Sequence, residues 1–84
     1  MGKKENDCVI YKLTAPNGKI YIGQTIHFKQ RCRKYKCEAF KGQTKLWHSC
    51  QKHNWNPIDT IEIIEICECI NLDEREIYWV NFYD

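Results

Sequence analysis

Two short runs rich in Val, Ile and Tyr open the chain, at residues 8–14 and 19–23, with turn residues between them. They predict a pair of strands. Asn17-Gly18 alone suggests a two-residue hairpin loop. That loop would make Pro16 a closing strand residue, where a backbone N–H is needed and proline has none. A three-residue loop suits the segment better, with Pro16 and Asn17 in a type I turn and Gly18 in the left-handed position that follows. Ala15 then pairs with Lys19, Leu13 with Tyr21 and Tyr11 with Gly23, so Tyr11, Leu13, Tyr21 and Gly23 share one face. A slip of one residue would put the two tyrosines on opposite faces. In the three-residue register they are diagonal neighbours, roughly 7–8 Å apart at the backbone, and Gly23 is expected to leave open space beside Tyr11.

Further along, the period changes. Phe28, Arg31, Cys32 and Tyr35 recur at spacings of three and four, predicting a helix over 27–39 with Arg31 among apolar neighbours. A second helix over about 43–53 turns Leu46, Trp47 and Cys50 inward and stops at Asn54 and Pro57. Residues 60–67 read as a strand whose doubled Ile63-Ile64 suggests a bulge or burial on both faces. Asn71, with Glu74 three residues on, forms a capping box for a last helix. On that helix Leu72, Glu76, Trp79, Val80 and Tyr83 make one apolar stripe with a carboxylate in its middle. A carboxylate is rarely turned toward a core unless it is paired or holds a metal. The order is ββααβα.

Composition narrows the classes. The 84 residues suit one domain with a modest core, and 43% apolar with 29% charged residues describes an ordinary globular chain. No apolar run approaches the ~20 residues that span a bilayer, and residues 1–7 lack the apolar stretch of a signal peptide. An intracellular location with no membrane partner is therefore expected, with residues 1–7 a flexible N-terminus and 8–84 the folded domain. The net charge of +2 hides an asymmetry: residues 27–53 carry eight basic side chains against Glu38, and residues 58–84 carry eight acids against Arg75. A basic face of this kind attracts phosphates. Six cysteines are present, at 8, 32, 37, 50, 67 and 69, but without a secretory context the favoured reading is free thiols acting as small hydrophobes. His48, Cys50 and His53 raise zinc, yet no C-x-x-C pair accompanies them.

Each of these features has an ordinary explanation when taken singly. Strand tyrosines pack across ladders, an arginine stem can cover core while its head reaches water, and Glu76 could sit at the stripe's edge or pair with Arg31 or Arg75. Together they resemble the GIY-YIG nuclease domain over nearly all of residues 9–83. Val9-Ile10-Tyr11 stands where that family has Gly-Ile-Tyr, and Tyr21-Ile22-Gly23 matches the second triplet in full. Lys19, Arg31 and Glu76 fall at the family's positions. Tyr35 stands where many relatives carry histidine, and the asparagine that many place after the last helix has no counterpart before Asp84.

The resemblance implies a small α+β domain, a three-stranded antiparallel sheet flanked by three helices. It implies hydrolysis of DNA phosphodiesters with one divalent metal ion, Mg²⁺ or alternatively Mn²⁺, held by Glu76. Tyr11 would be the general base, its phenol needing nearby cations to lower a pKa near ~10. Arg31 would bind the scissile phosphate through its fork of donors, with Tyr21 and Tyr35 positioning the water or phosphate. Lys19, Arg33, Lys34, Lys45 and His53 are the expected contacts to the nucleic-acid backbone. A separate DNA-binding domain in a longer native chain, selecting the sequence to be cut, is compatible with this pattern. Two other classes stay open at this point: a catalytically degenerate nucleic-acid-binding module using the basic helices of 27–53, and a zinc-stabilised interaction domain.

Overall fold

The structure is a computed structural model that describes residues 8–83. The flexible segment expected over residues 1–7 lies outside the described residues, as does Asp84. Three strands, β1 (Val9–Thr14), β2 (Ile20–Thr25) and β3 (Glu62–Ile66), form an antiparallel sheet in the order β2-β1-β3. Three helices follow the expected order, α1 (Phe28–Lys36), α2 (Thr44–His53) and α3 (Leu72–Tyr83). The fold is α+β with element order ββααβα, as the sequence pattern predicts.

The β1–β2 hairpin has the three-residue loop that Pro16 demands. Ala15 N–H donates to the Lys19 carbonyl at 2.9 Å, Gly18 N–H donates to the Ala15 carbonyl at 2.8 Å, and Gly18 sits at φ +89°. That φ belongs to the left-handed region glycine enters without steric cost. Tyr11 pairs with Gly23 and Leu13 with Tyr21. On the other side of β1, Ile10 pairs with Glu65 and Tyr11 with Ile63, so Ile64 is the extra residue of a bulge. The doubled isoleucine therefore marks the bulge.

Because strand side chains alternate, the sheet offers two apolar faces, and each is covered. On one, Tyr11 and Leu13 pack with Tyr35 of α1, Leu46 and Cys50 of α2, and Phe40 between those helices. On the other, Cys8 and Ile10 pack with Leu72 of α3, joined by Ile22, Ile64 and Trp79. The sheet is thus the middle layer, with α1 and α2 on one side and α3 on the other. Only β1 is central, which is why Ile10, Tyr11 and Leu13 are almost wholly buried.

Several boundaries and one chemical expectation change. α1 is shorter than 27–39, because Lys36 ends it and Glu38 turns the chain at φ +59°. α2 ends as expected at Asn54, which takes the left-handed C-cap position at φ 54°. β3 stops at Ile66, before the cysteines, and a short 3₁₀ turn over Cys69–Asn71 runs directly into α3. Helical winding thus begins a turn earlier than the Asn71…Glu74 capping box implies. Cys69 is freed from the strand by this turn and forms a disulfide with Cys8, their Cα atoms 5.3 Å apart. The reading of all six cysteines as free thiols is corrected on this point. Cys32, Cys37, Cys50 and Cys67 remain free.

Candidate active site

The pairing of Tyr11 with Gly23 decides the geometry of the site. Lacking a side chain, Gly23 lets the Tyr11 ring lie across it: a Cβ there would fall 2.8 Å from Tyr11 Cε1 and closer still to Cζ and Oη. The space expected beside Tyr11 is therefore filled by Tyr11 itself. The ring is 2% exposed and meets Phe28 and Tyr35 edge-on, each with centroids 6.3 Å away.

Tyr11, Tyr21 and Tyr35 all line one cavity of about 290 Å³, with Gly23 in its wall and Gln43 and Lys45 at the start of α2. The two strand tyrosines arrive there from the hairpin register, and Tyr35 arrives because α1 turns its inward face onto the sheet. Tyr35 Oη donates to Gln43 Oε1 at 3.1 Å. Each phenol carries one proton, so the 2.9 Å contact between the Tyr11 and Tyr35 hydroxyls is donated by Tyr11. A short relay, Tyr11 to Tyr35 to Gln43, results. It leaves the lone pairs of Tyr11 Oη unused by this chain of donors.

Electrostatics at Tyr11 run against the sequence expectation. Burial pushes its phenol pKa well above the ordinary tyrosine value, and Tyr35 adds to this by charge repulsion and by its hydrogen bond. Arg31 draws it down and Glu76 raises it, both by charge. Cations were expected to lower this pKa, but desolvation is the largest influence and it wins. The phenol is protonated at neutral pH. Arg31 and Glu76, one on each flanking helix layer, thus act on this hydroxyl by charge, although neither lines the tyrosine cavity.

Glu76 is half-buried on α3 and belongs to a clasp with β2. Gln24 Nε2 donates to Glu76 Oε1 at 2.6 Å and to Asp73 Oδ1 at 2.8 Å. Neither Arg31 nor Arg75 forms the ion pair offered as its ordinary explanation: Arg75 is committed to Glu65, with Nε donating to both carboxylate oxygens at 2.8 and 3.0 Å. Gln24 and Asp73 were missed by the sequence reading. Their signals were available, since Gln24 directly follows Tyr21-Ile22-Gly23 and Asp73 stands one turn before Glu76 on the same helix.

The expected backbone contacts divide. Lys45 lines the tyrosine cavity, and Lys34 lines a neighbouring one with Arg31. Lys19 is exposed and lies over the Tyr21 ring, 5.4 Å from its centroid, at the rim of the site. Arg33 is exposed and shares a shallow depression with Cys37, away from the tyrosines. His53 is half-buried at the last turn of α2 and lines neither of the two cavities.

The fit of a divalent cation rests on Glu76. Glu76 and Asp73 are hard oxygen donors that reach the same amide. Among the described residues no three His, Cys, Asp or Glu side chains gather as a metal-binding group. A cation bound at Glu76 would draw the rest of its shell from water and substrate oxygens. That is the habit of Mg²⁺, which keeps several waters and uses one or two carboxylates.

The antiparallel sheet carries two tyrosines on one strand pair, and the helices on its two faces bring up an arginine and a glutamate. The chain matches the GIY-YIG catalytic domain over residues 7–83, and it belongs to that family. No curated protein and no solved structure matches it. Family membership brings nuclease activity and interaction with DNA as the coarse function. No described helix is long and apolar enough to cross a membrane.

Proposed function

We propose that the domain hydrolyses DNA phosphodiester bonds as an endonuclease that depends on one divalent cation, Mg²⁺ or Mn²⁺, with Glu76 as its protein ligand. The observation that carries this reading is the convergence of three phenols on one cavity in a chain of this family, and the charges of Arg31 and Glu76 felt at the Tyr11 hydroxyl support it. When bound, the cation supplies positive charge against the negative charge that builds on the phosphate and the leaving oxygen.

The chain's own residues divide the remaining work. Arg31 grips two oxygens of the scissile phosphate with its planar fork. Tyr11 orients the attacking water through its unused lone pairs and takes up its proton at Oη. It must first release its own proton to solvent water, since the relay to Tyr35 ends on the Gln43 amide oxygen and offers no base, and burial opposes that release. Arg31 already acts in the favourable direction, and a cation at Glu76 would add to it. Tyr21, which lines the same cavity, hydrogen-bonds the water or phosphate, and Tyr35 holds Tyr11 in place. Lys45, Lys34 and Lys19 contact backbone phosphates, as do Arg33 and His53 at the periphery.

Incubation of supercoiled plasmid with the protein and Mg²⁺ tests the reading. Nicked or linear product is expected from the wild type, with loss of product in Glu76→Ala and Tyr11→Phe while far-UV circular dichroism stays unchanged. Unchanged cleavage in both variants would overturn it. The phenol of Tyr11, buried and already bonded to Tyr35, favours one second reading, a degenerate site that binds nucleic acid without cutting it. Salt-sensitive DNA binding with no cleavage in either Mg²⁺ or Mn²⁺ would select that reading.

A further inference from the structure

Beside the tyrosine cavity, where β2 passes into α1, lies a second concavity of about 200 Å³. It is lined by Thr25, Ile26, His27, Gln30, Arg31 and Lys34. Two permanent cations and a histidine look into it. No acid is among the lining residues, and none stands in the first turn of α1. Thr25 is tied up locally, its Oγ1 accepting from His27 N–H at 3.0 Å, which fixes His27 at the mouth. Cations gathered around a concavity with no counter-charge repel one another until an anion joins them.

The position of this concavity relative to the tyrosines is its second informative property. Gly23 lines the first cavity and Thr25 the second, and both stand on the same face of β2. Two residues along a strand advance about 7 Å. That step is comparable with the distance between neighbouring phosphates on one nucleic-acid strand. Arg31 lines the second cavity and not the first, yet its charge is felt at the Tyr11 hydroxyl, which places it between the two. Its five donors are enough to serve two neighbouring phosphates.

We propose that the second concavity is an anion subsite for the phosphate adjacent to the one being cleaved, gripped by His27, Gln30 and Lys34, with Arg31 bridging the two. The inference rests on the nuclease reading above and adds to it the path of the substrate strand, from α2 across β2 to the start of α1. Contacts of this kind fix register and carry no base information. The subsite positions DNA of any sequence.

The test measures binding of short DNA by fluorescence anisotropy over a range of salt, with plasmid nicking in Mg²⁺ run alongside. A scan of oligonucleotides, each carrying one neutral methylphosphonate linkage, is bound to the wild type, His27→Ala, Lys34→Ala and the double variant. Both replaced side chains are exposed, and circular dichroism checks the fold. The double variant is expected to bind several-fold more weakly at low salt, with the salt slope reduced by about one contact. With cuts mapped on the same oligonucleotides in Mg²⁺, a neutral linkage should suppress wild-type cleavage at the phosphate next to it on one side, and the double variant should lose that bias. A protein that nicks DNA but whose variants keep affinity, slope and that bias overturns the subsite and leaves the nuclease reading intact. A protein that shows the slope change without nicking supports the subsite and removes the nuclease reading. Failure of the wild type to bind DNA overturns both.

Discussion

A glycine inside a strand weakens a sheet, and at Gly23 the compensation is the ring that crosses above it. Tyr11 packs between Gly23, Phe28 and Tyr35 with almost no exposure, so its ring has little room to retreat. Gly23→Ala is expected to cost about 1–3 kcal/mol in denaturant unfolding, the range of an overpacked core. Cleavage should fall further than that loss explains, because the displaced atoms include the Tyr11 hydroxyl. Burial also predicts how Tyr11 titrates. The alkaline ultraviolet difference spectrum of Tyr11→Phe should overlay that of the wild type up to and past pH ~10, where ordinary phenols ionise. A missing chromophore in that range would show that Tyr11 ionises early. The hairpin register was legible from Pro16 alone, since proline cannot donate where a two-residue loop requires it. The fate of the space at Gly23 and the rise in the Tyr11 pKa were not, because both depend on how far α1 presses the ring into the sheet.

At the scale of elements, two separate polar devices add to the apolar packing that holds α3 to the sheet. Gln24 clasps Asp73 and Glu76 from β2, and Glu65 of β3 accepts from Trp79 Nε1 at 2.8 Å and from Arg75. The Trp79 hydrogen bond and then Arg75 hold the Glu65 carboxyl below the ordinary carboxylate range. A carboxyl whose folded pKa is depressed adds stability that is complete above its unfolded pKa. That stability is lost as pH falls through the lower, folded value. The acid limb of the stability curve should therefore be shallower in Glu65→Gln than in the wild type, with little difference in slope near neutral pH. Thermal melts from pH 7 down to pH 3 measure this directly. The stripe of Leu72, Glu76, Trp79, Val80 and Tyr83 did announce which side of α3 faces the sheet, although Val80 is 46% exposed and closes nothing. Gln24 and Glu65 were harder to read. Each is a polar residue on a strand whose value lies in a partner 49 or 10 positions away, and no local period encodes such a partner.

Taken as a whole, the molecule divides its tasks between the two faces of one small sheet. The α1–α2 face collects phenols and cations, while the α3 face supplies acids and the carboxylate of Glu76. The charge asymmetry of the sequence is therefore a division between layers, and catalysis in the proposed sense requires that the layers stay in register. So thin a sandwich has limited area with which to fix α3, and the Cys8–Cys69 disulfide acts at that weak point. It joins the start of β1 to the turn that launches α3, across a sequence separation of 61 residues. Closing a long loop restricts the unfolded chain, and removing such a link typically costs about 2–4 kcal/mol. Cys69→Ser, which changes the exposed partner and leaves the buried Cys8 in place, should lose stability in that range under oxidising conditions. Dithiothreitol should lower the wild type to the same level and leave the variant unmoved. Denaturant curves of both proteins, with and without reductant, give the four values. Because Glu76 rides on the helix this link anchors, DNA cleavage by the reduced wild type should fail at a lower temperature than cleavage by the oxidised protein. If the link served only to fill the core, Cys69→Ser would keep the stability of the oxidised wild type, since the exposed Cys69 sulfur fills none of it.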